Sequence, residues 1–128
     1  MIVLDGSALF AVLLGERHGS ACREVMERED ELLLSAGSLT ELLIVAAGKR
    51  VLDVVEPFVT ELRPTIAPLT ERRARAAADA YRRWGKGFHP AGLNIGDTFA
   101  YALAKELDCP LLYVGADFAK TDIASALE

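Results

Sequence analysis

The stretch IVLDGSALFAVLLG, Ile2 to Gly15, carries a short apolar run that stops at Asp5, a Gly6-Ser7 turn, and a second apolar segment that Gly15 closes. It reads as strand, turn, helix. The pattern then repeats in looser form. Residues 19–30 have a helical mix, Leu32 to Ser35 is a buried strand candidate, and LTELLIVAAGK is the next helix, with Ser38 as an N-cap and Glu41 at capping-box spacing. VLDVVEPFVTELR makes another helix, which Pro57 enters or kinks, and TIAPL a third strand. Thr70 caps a long amphipathic helix, Gly85, Gly87, Pro90 and Gly92 mark a loop, and a helix bearing Asp97 leads to the strand LLYV from Leu111 and a tail with a turn and a short helix. Strands separated by helices need crossover connections and therefore pair in parallel. The expected fold is α/β, a small parallel sheet flanked by helices, in one domain over residues 1–128.

At 128 residues, 52% hydrophobic and 26% charged, the chain is of a size and composition to bury its own core. Its apolar runs fall short of the roughly 20 residues that span a bilayer. Asp5 interrupts the apolar start and no basic n-region precedes it. The expectation is a cytoplasmic protein without membrane contact. Cys22 and Cys109 form no CxxC and are expected to be reduced thiols. The net charge of −5 gives no whole-molecule attraction to nucleic acid, so any such contact must use a local patch.

Open parallel sheets place their ligand crevice at the carboxyl ends of the strands. Asp5 stands at such an end, Asp117 follows LLYVGA, and Asp97 opens the helix that feeds the last strand. Glu41 is the only charged residue between Gly37 and Gly48, in a helix apolar on nearly every side, where a buried carboxylate is expensive without a partner. Singly, each has a plain structural explanation, the commonest being a helix start. Jointly they do not, because two carboxylates at about 4 Å repel by roughly 4 kcal/mol at an effective dielectric of 20. Gathering four calls for a cation, and hard oxygen ligands favour Mg²⁺ or Mn²⁺.

These residues carry a resemblance. IVLDGSALFAVLLGE, SAGSLTELLIVA and YRRWGKGFHPAGLNIGDTFAYALAKELDCPLLYVGADFAKTDI, in that order, resemble the PIN-domain ribonucleases of the VapC toxin type over nearly the whole chain. The resemblance implies a PIN-like fold, and a metal-dependent endoribonuclease that serves as the toxin of a toxin–antitoxin pair. It also implies Mg²⁺ or Mn²⁺ held by Asp5, Glu41, Asp97 and Asp117, an RNA substrate, a cognate antitoxin and a homodimer. The family's first motif usually has a hydroxyl residue directly after its Asp. This chain has Gly6 there, leaving Ser7 as the supporting hydroxyl. Asp122 also fits the family's tail and reads as a helix cap.

The helix from Thr70 carries Arg72, Arg75, Arg82, Arg83 and Lys86 on the face opposite Ala74, Ala78 and Tyr81. A solvated face is its plain reading; Arg82, Arg83 and Lys86 are the candidates for an RNA-phosphate path. Trp84 and Phe88 read as apolar anchors, with base stacking as the other possibility. His18 and His89 are the only histidines, and His89 reads as a loop residue near the site. Three other chemistries fail on residues: DGS after the first strand is not the DxD of a haloacid-dehalogenase-like phosphatase, a receiver domain's acidic pair and lysine are missing, and no P-loop occurs. The competing class is a catalytically weak PIN-like module that binds RNA or an antitoxin without cutting.

Overall fold

The computed structural model describes residues 1–127. Four parallel strands, β1 (Ile2–Leu4), β2 (Leu32–Ser35), β3 (Thr65–Ala67) and β4 (Leu111–Leu112), form one sheet in the order β3-β2-β1-β4. The registers pair Ile2 with Leu32, Val3 with Leu111 and Leu33 with Thr65. Six helices connect and cover the strands: α1 (Gly6–Leu13), α2 (Gly19–Arg28), α3 (Ala36–Gly48), α4 (Leu52–Leu62), α5 (Glu71–Trp84) and α6 (Ile95–Leu107). A single 3₁₀ turn, Phe118–Lys120, follows β4. The last strand is shorter than LLYV suggests, because Tyr113 and Val114 already belong to the loop that carries the chain to Asp117.

Strand side chains alternate between the faces of the sheet, and two cores result. Ile2, Leu4, Leu34 and Leu112 pack with Leu9, Phe10, Val25, Leu42 and Val55 beneath α1 to α4. Val3, Leu33 and Leu111 pack with Leu93, Tyr101, Leu103 and Phe118 beneath α5 and α6. Both faces are covered, which is why the strands read as unbroken apolar runs rather than as alternating ones. Cys22 and Cys109 are free thiols buried in opposite cores. No helix among the described residues is long and apolar enough to cross a membrane.

Several local readings change. Pro57 lies inside α4, where its missing N–H leaves a carbonyl of the previous turn without its helical donor. In α5 the buried residues are Ala77 and Ala80, while Ala74 and Ala78 face outward, so the helix is rotated from the face its alanines suggest. Trp84 is an anchor: its indole N–H donates to Tyr101 Oη at 2.8 Å. Phe88 is not, being 61% exposed with only an edge contact to Tyr81. Helix α3 is not buried all round, since Ile44 is 67% exposed and Val45 is open as well.

β1 lies between β2 and β4; the crossovers through α1–α2 and α3–α4 cover one face of the sheet, and the crossover through α5–α6 to β4 covers the other. That makes the carboxyl end of β1, against β4, the switch point where a ligand crevice forms.

Candidate active site

Asp5 closes β1 and caps α1 at once. Its Oδ2 accepts from the Ser7 N–H at 3.0 Å and from Ser7 Oγ at 2.5 Å. Ser7 Oγ in turn accepts from the Val114 N–H at 3.1 Å, which ties the ends of β1 and β4 together. Ser7 therefore supplies the hydroxyl support that Gly6 cannot. Burial pushes the Asp5 carboxyl above its ordinary range, against the opposing pull of the Ser7 donors.

Asp97 is the third residue of α6 and half of a complete capping box. Asn94 Oδ1 accepts from the Asp97 N–H at 2.9 Å, and Asp97 Oδ2 accepts from the Asn94 N–H at 3.0 Å. Asn94, three residues before Asp97, is a site-shaping residue legible as a capping-box spacing but not read as one. Burial drives the Asp97 carboxyl up to about 7; the bond from Asn94 works against this, and the charges of Asp5, Glu41 and Asp117 add to the rise. Asp5, Glu41 and Asp117 thus each act on the charge of Asp97.

Glu41, half-buried on α3, is raised by burial and then by Asp5. Its carboxylate lies against Gly96: a Cβ there would overlap it. One turn along the same contact, a Cβ at Gly37 would overlap the Phe99 ring. Two glycines thus let α3 and α6 approach closely enough to bring Glu41 to the start of α6. The capping box expected from Ser38 to Glu41 does not form. Ser35 caps α3, accepting from the Gly37 N–H at 3.2 Å, because β2 runs directly into the helix one turn earlier than the spacing implied. Ser38 is left buried, its hydroxyl without a partner.

Asp117 is exposed on the loop after β4, at the start of the 3₁₀ turn. Among the described residues, none of Asp5, Glu41, Asp97 and Asp117 forms an ion pair with a Lys or Arg. Nor do three His, Cys, Asp or Glu side chains among the described residues stand close enough together to hold a metal ion. The four acids are hard oxygen donors, the chemistry that suits a divalent cation.

Asp122 does not cap a helix. It accepts from Tyr101 Oη at 2.5 Å and from Lys105 Nζ at 3.2 Å, with Arg83 at 3.8 Å, and so fastens the tail to α5 and α6. This holds Arg83 in the fold, where it also lies over the Trp84 ring. Arg82 pairs with Asp79 on its own helix. His89 Nδ1 accepts from the Ala91 N–H in the α5–α6 loop, while His18 sits in a left-handed turn before α2. The two histidines belong to loops of opposite layers.

Compared with known proteins, residues 2–124 match the family model described as PIN domain. Ribonuclease VapC28 of Mycobacterium tuberculosis is 37% identical over 99% of this chain and 98% of its own length. Ribonuclease VapC30 of the same species is 38% identical over 97% of each. Among solved structures, M. tuberculosis VapC20, described as a toxin that cleaves the sarcin–ricin loop, aligns with a TM-score of 0.76 at 12% identity, over 97% of each chain. A toxin–antitoxin complex from Klebsiella pneumoniae aligns with a TM-score of 0.69 at 14% identity, covering 95% of this chain and 93% of that one.

Proposed function

The chain belongs to the PIN-domain family, and from that premise we propose that it is a VapC-type ribonuclease, the toxin of a toxin–antitoxin pair, acting through Asp5, Glu41, Asp97 and Asp117. Residues 1–128 are taken as one such domain. The observation that carries the reading is geometric: the Glu41 carboxylate of α3 lies against Gly96, next to Asp97 at the start of α6, and among the described residues neither acid is paired with a basic side chain.

PIN-domain nucleases of this type are generally dependent on divalent metal, and Mg²⁺ or Mn²⁺ suits the all-carboxylate donor set here. Asp5, Glu41, Asp97 and Asp117 would hold it. When bound, such an ion activates water at neutral pH and offsets negative charge on the scissile phosphate. The chain's own residues prepare for this. Ser7 orients Asp5, Asn94 orients Asp97, and Gly96 gives Glu41 its place. Without metal, burial and the neighbouring acids favour the protonated form of Asp97, which limits the repulsion among those acids. The partners that follow are RNA, a cognate antitoxin and a second copy of the chain, in the cytoplasm.

The test is to incubate purified protein with mixed cellular RNA, with and without divalent metal, and to map the new ends. Direct attack by water leaves 5′-phosphate and 3′-OH. Ends bearing 2′,3′-cyclic phosphate would overturn this mechanism and return the histidines to consideration. The open spacing of the carboxylates also suits a catalytically weak binding module, which RNA binding without metal-responsive cutting would favour.

A further inference from the structure

Ser38 and Glu41 have complementary deficits. The Ser38 hydroxyl is the one buried side-chain polar atom among the described residues without a hydrogen-bond partner, and the residue is only 3% exposed. A buried hydroxyl left unpaired loses its hydrogen bonds to water without replacement, so it calls for a reason. Glu41, three residues on in α3, is a half-buried carboxylate with no donor among the described residues. Residues three apart on a helix are neighbours, and helical side chains lean back toward the N-terminus, which brings Glu41 over the turn containing Gly37 and Ser38.

The two sides of that turn differ. Glu41 lines an open groove with Gly37, Thr40, Ile44, Gly96 and Phe99. Ser38 is on the inner side, in one stripe with Leu42, which packs where a Cβ on Gly6 would touch it at 3.7 Å. Gly6 follows Asp5, so the inner stripe of α3 faces the end of β1. Ser38 and Glu41, three residues apart on α3, therefore flank the same edge of the helix, one on its inner side and one on its groove side.

We propose that Ser38 is a positioning residue, whose hydroxyl donates to the Glu41 carboxylate in the metal-loaded site and holds it inward toward Asp5. This rests on the carboxylate-site reading above. The hydroxyl stands in reserve in the metal-free protein, and its unpaired state is the cost of having a donor ready there. A ligating carboxylate deprived of such support typically loses 10–100-fold in metal affinity.

The experiment is calorimetric titration of the full chain with Mn²⁺, alongside thermal melts without metal, for wild type, Ser38→Ala, Ser38→Thr, Glu41→Gln and the Ser38→Ala/Glu41→Gln pair. Ser38→Ala is expected to melt no lower than wild type without metal, to bind Mn²⁺ about 10-fold more weakly, and to add nothing once Glu41 is Gln. Ser38→Thr, which keeps the hydroxyl, is expected to restore the affinity. Wild-type Mn²⁺ affinity in Ser38→Ala would overturn the proposal, and so would a lower metal-free melting temperature with affinity intact, which marks a purely structural hydroxyl. Glu41→Gln separates the two levels: if it too binds Mn²⁺ normally, the carboxylate-site reading fails, whereas if it loses binding and Ser38→Ala does not, only the role of Ser38 fails.

Discussion

Asp97 occupies two positions at once, the third residue of α6 and a member of an acidic cluster, and they act on its charge in opposite directions. The helix dipole and the Asn94 N–H favour the carboxylate; burial and the other acids disfavour it, and the net rise to about 7 says that the second group wins. The folded metal-free chain therefore keeps a proton that the unfolded chain, with an ordinary Asp value near 3.8, has already released. Stability from this group is full below that value, falls as pH rises toward about 7, and is flat above. Asn at position 97 can still accept the Asn94 bond through its amide oxygen. Asp97→Asn should therefore melt at or above wild type at pH 8, converge with it near pH 4, and lose the rise in melting temperature that Mn²⁺ gives wild type. A variant that melts lower at pH 8 and keeps the full metal response would make Asp97 a capping residue only. Gly96 supplies a second test, since its missing Cβ is what Glu41 occupies. Gly96→Ala should fold, because the overlapping atom is the end of a flexible side chain. It should nonetheless cut RNA on the order of 10-fold more slowly or worse, since a methyl there crowds the Glu41 side chain in the α3–α6 contact from which it reaches the site; cleavage at the wild-type rate would show that this contact does not bear on Glu41.

At the scale of elements, α5 joins surface charge to structure, and the two must be separated before its role toward RNA can be read. Arg73 forks onto Glu106 of α6 at 2.9 and 3.0 Å, and Arg83 is drawn to Asp122 in the tail, so both basic residues help seat the helix. Arg82 pairs only within α5, and Lys86 is exposed just beyond its end. The informative change is therefore Arg82→Glu with Lys86→Glu, leaving Arg83 in place. If this end of α5 follows the RNA backbone, the double variant should bind RNA more weakly, by an amount that shrinks with salt, and the slope of log affinity against log salt should flatten by about one unit per lost phosphate contact. Unchanged affinity and slope would leave the helix as a solvated face.

At the scale of the whole molecule, a groove between α3 and α6 exposes several apolar side chains side by side. Ile44 on α3 and Ile95 at the start of α6 are 67% and 69% exposed, with Leu69 beside them across the groove that Glu41 lines. A contiguous apolar surface of this kind marks an interaction site, and a second copy is the occupant expected for it. Replacing Ile44 and Ile95 together with Ser should shift the protein toward monomer in sedimentation. An unchanged mass would move the dimer elsewhere or remove it.

What the sequence determined by itself is what depends on local pattern. The apolar runs broken by Asp5 and Ser35, the cap at Thr70 and the loop glycines before Asp97 set element order, and parallel pairing followed because each strand is separated from the next by a helix. The proposal of the four acids also comes from the sequence, through their places at strand ends and helix starts and through the family resemblance. What only tertiary structure decided is what depends on which helix meets which. Whether α3 is capped at Ser35 or Ser38, which alanines of α5 face inward, and that Asp122 binds Tyr101 rather than a helix end were settled by packing between segments far apart in the chain. The same holds for Glu41. Its approach to Asp97 requires bare backbone at Gly96 and close passage at Gly37, and nothing within three or four residues of either glycine announces the partner it must admit. Helical periodicity reports a face, whereas the neighbour that covers it is chosen by the fold as a whole.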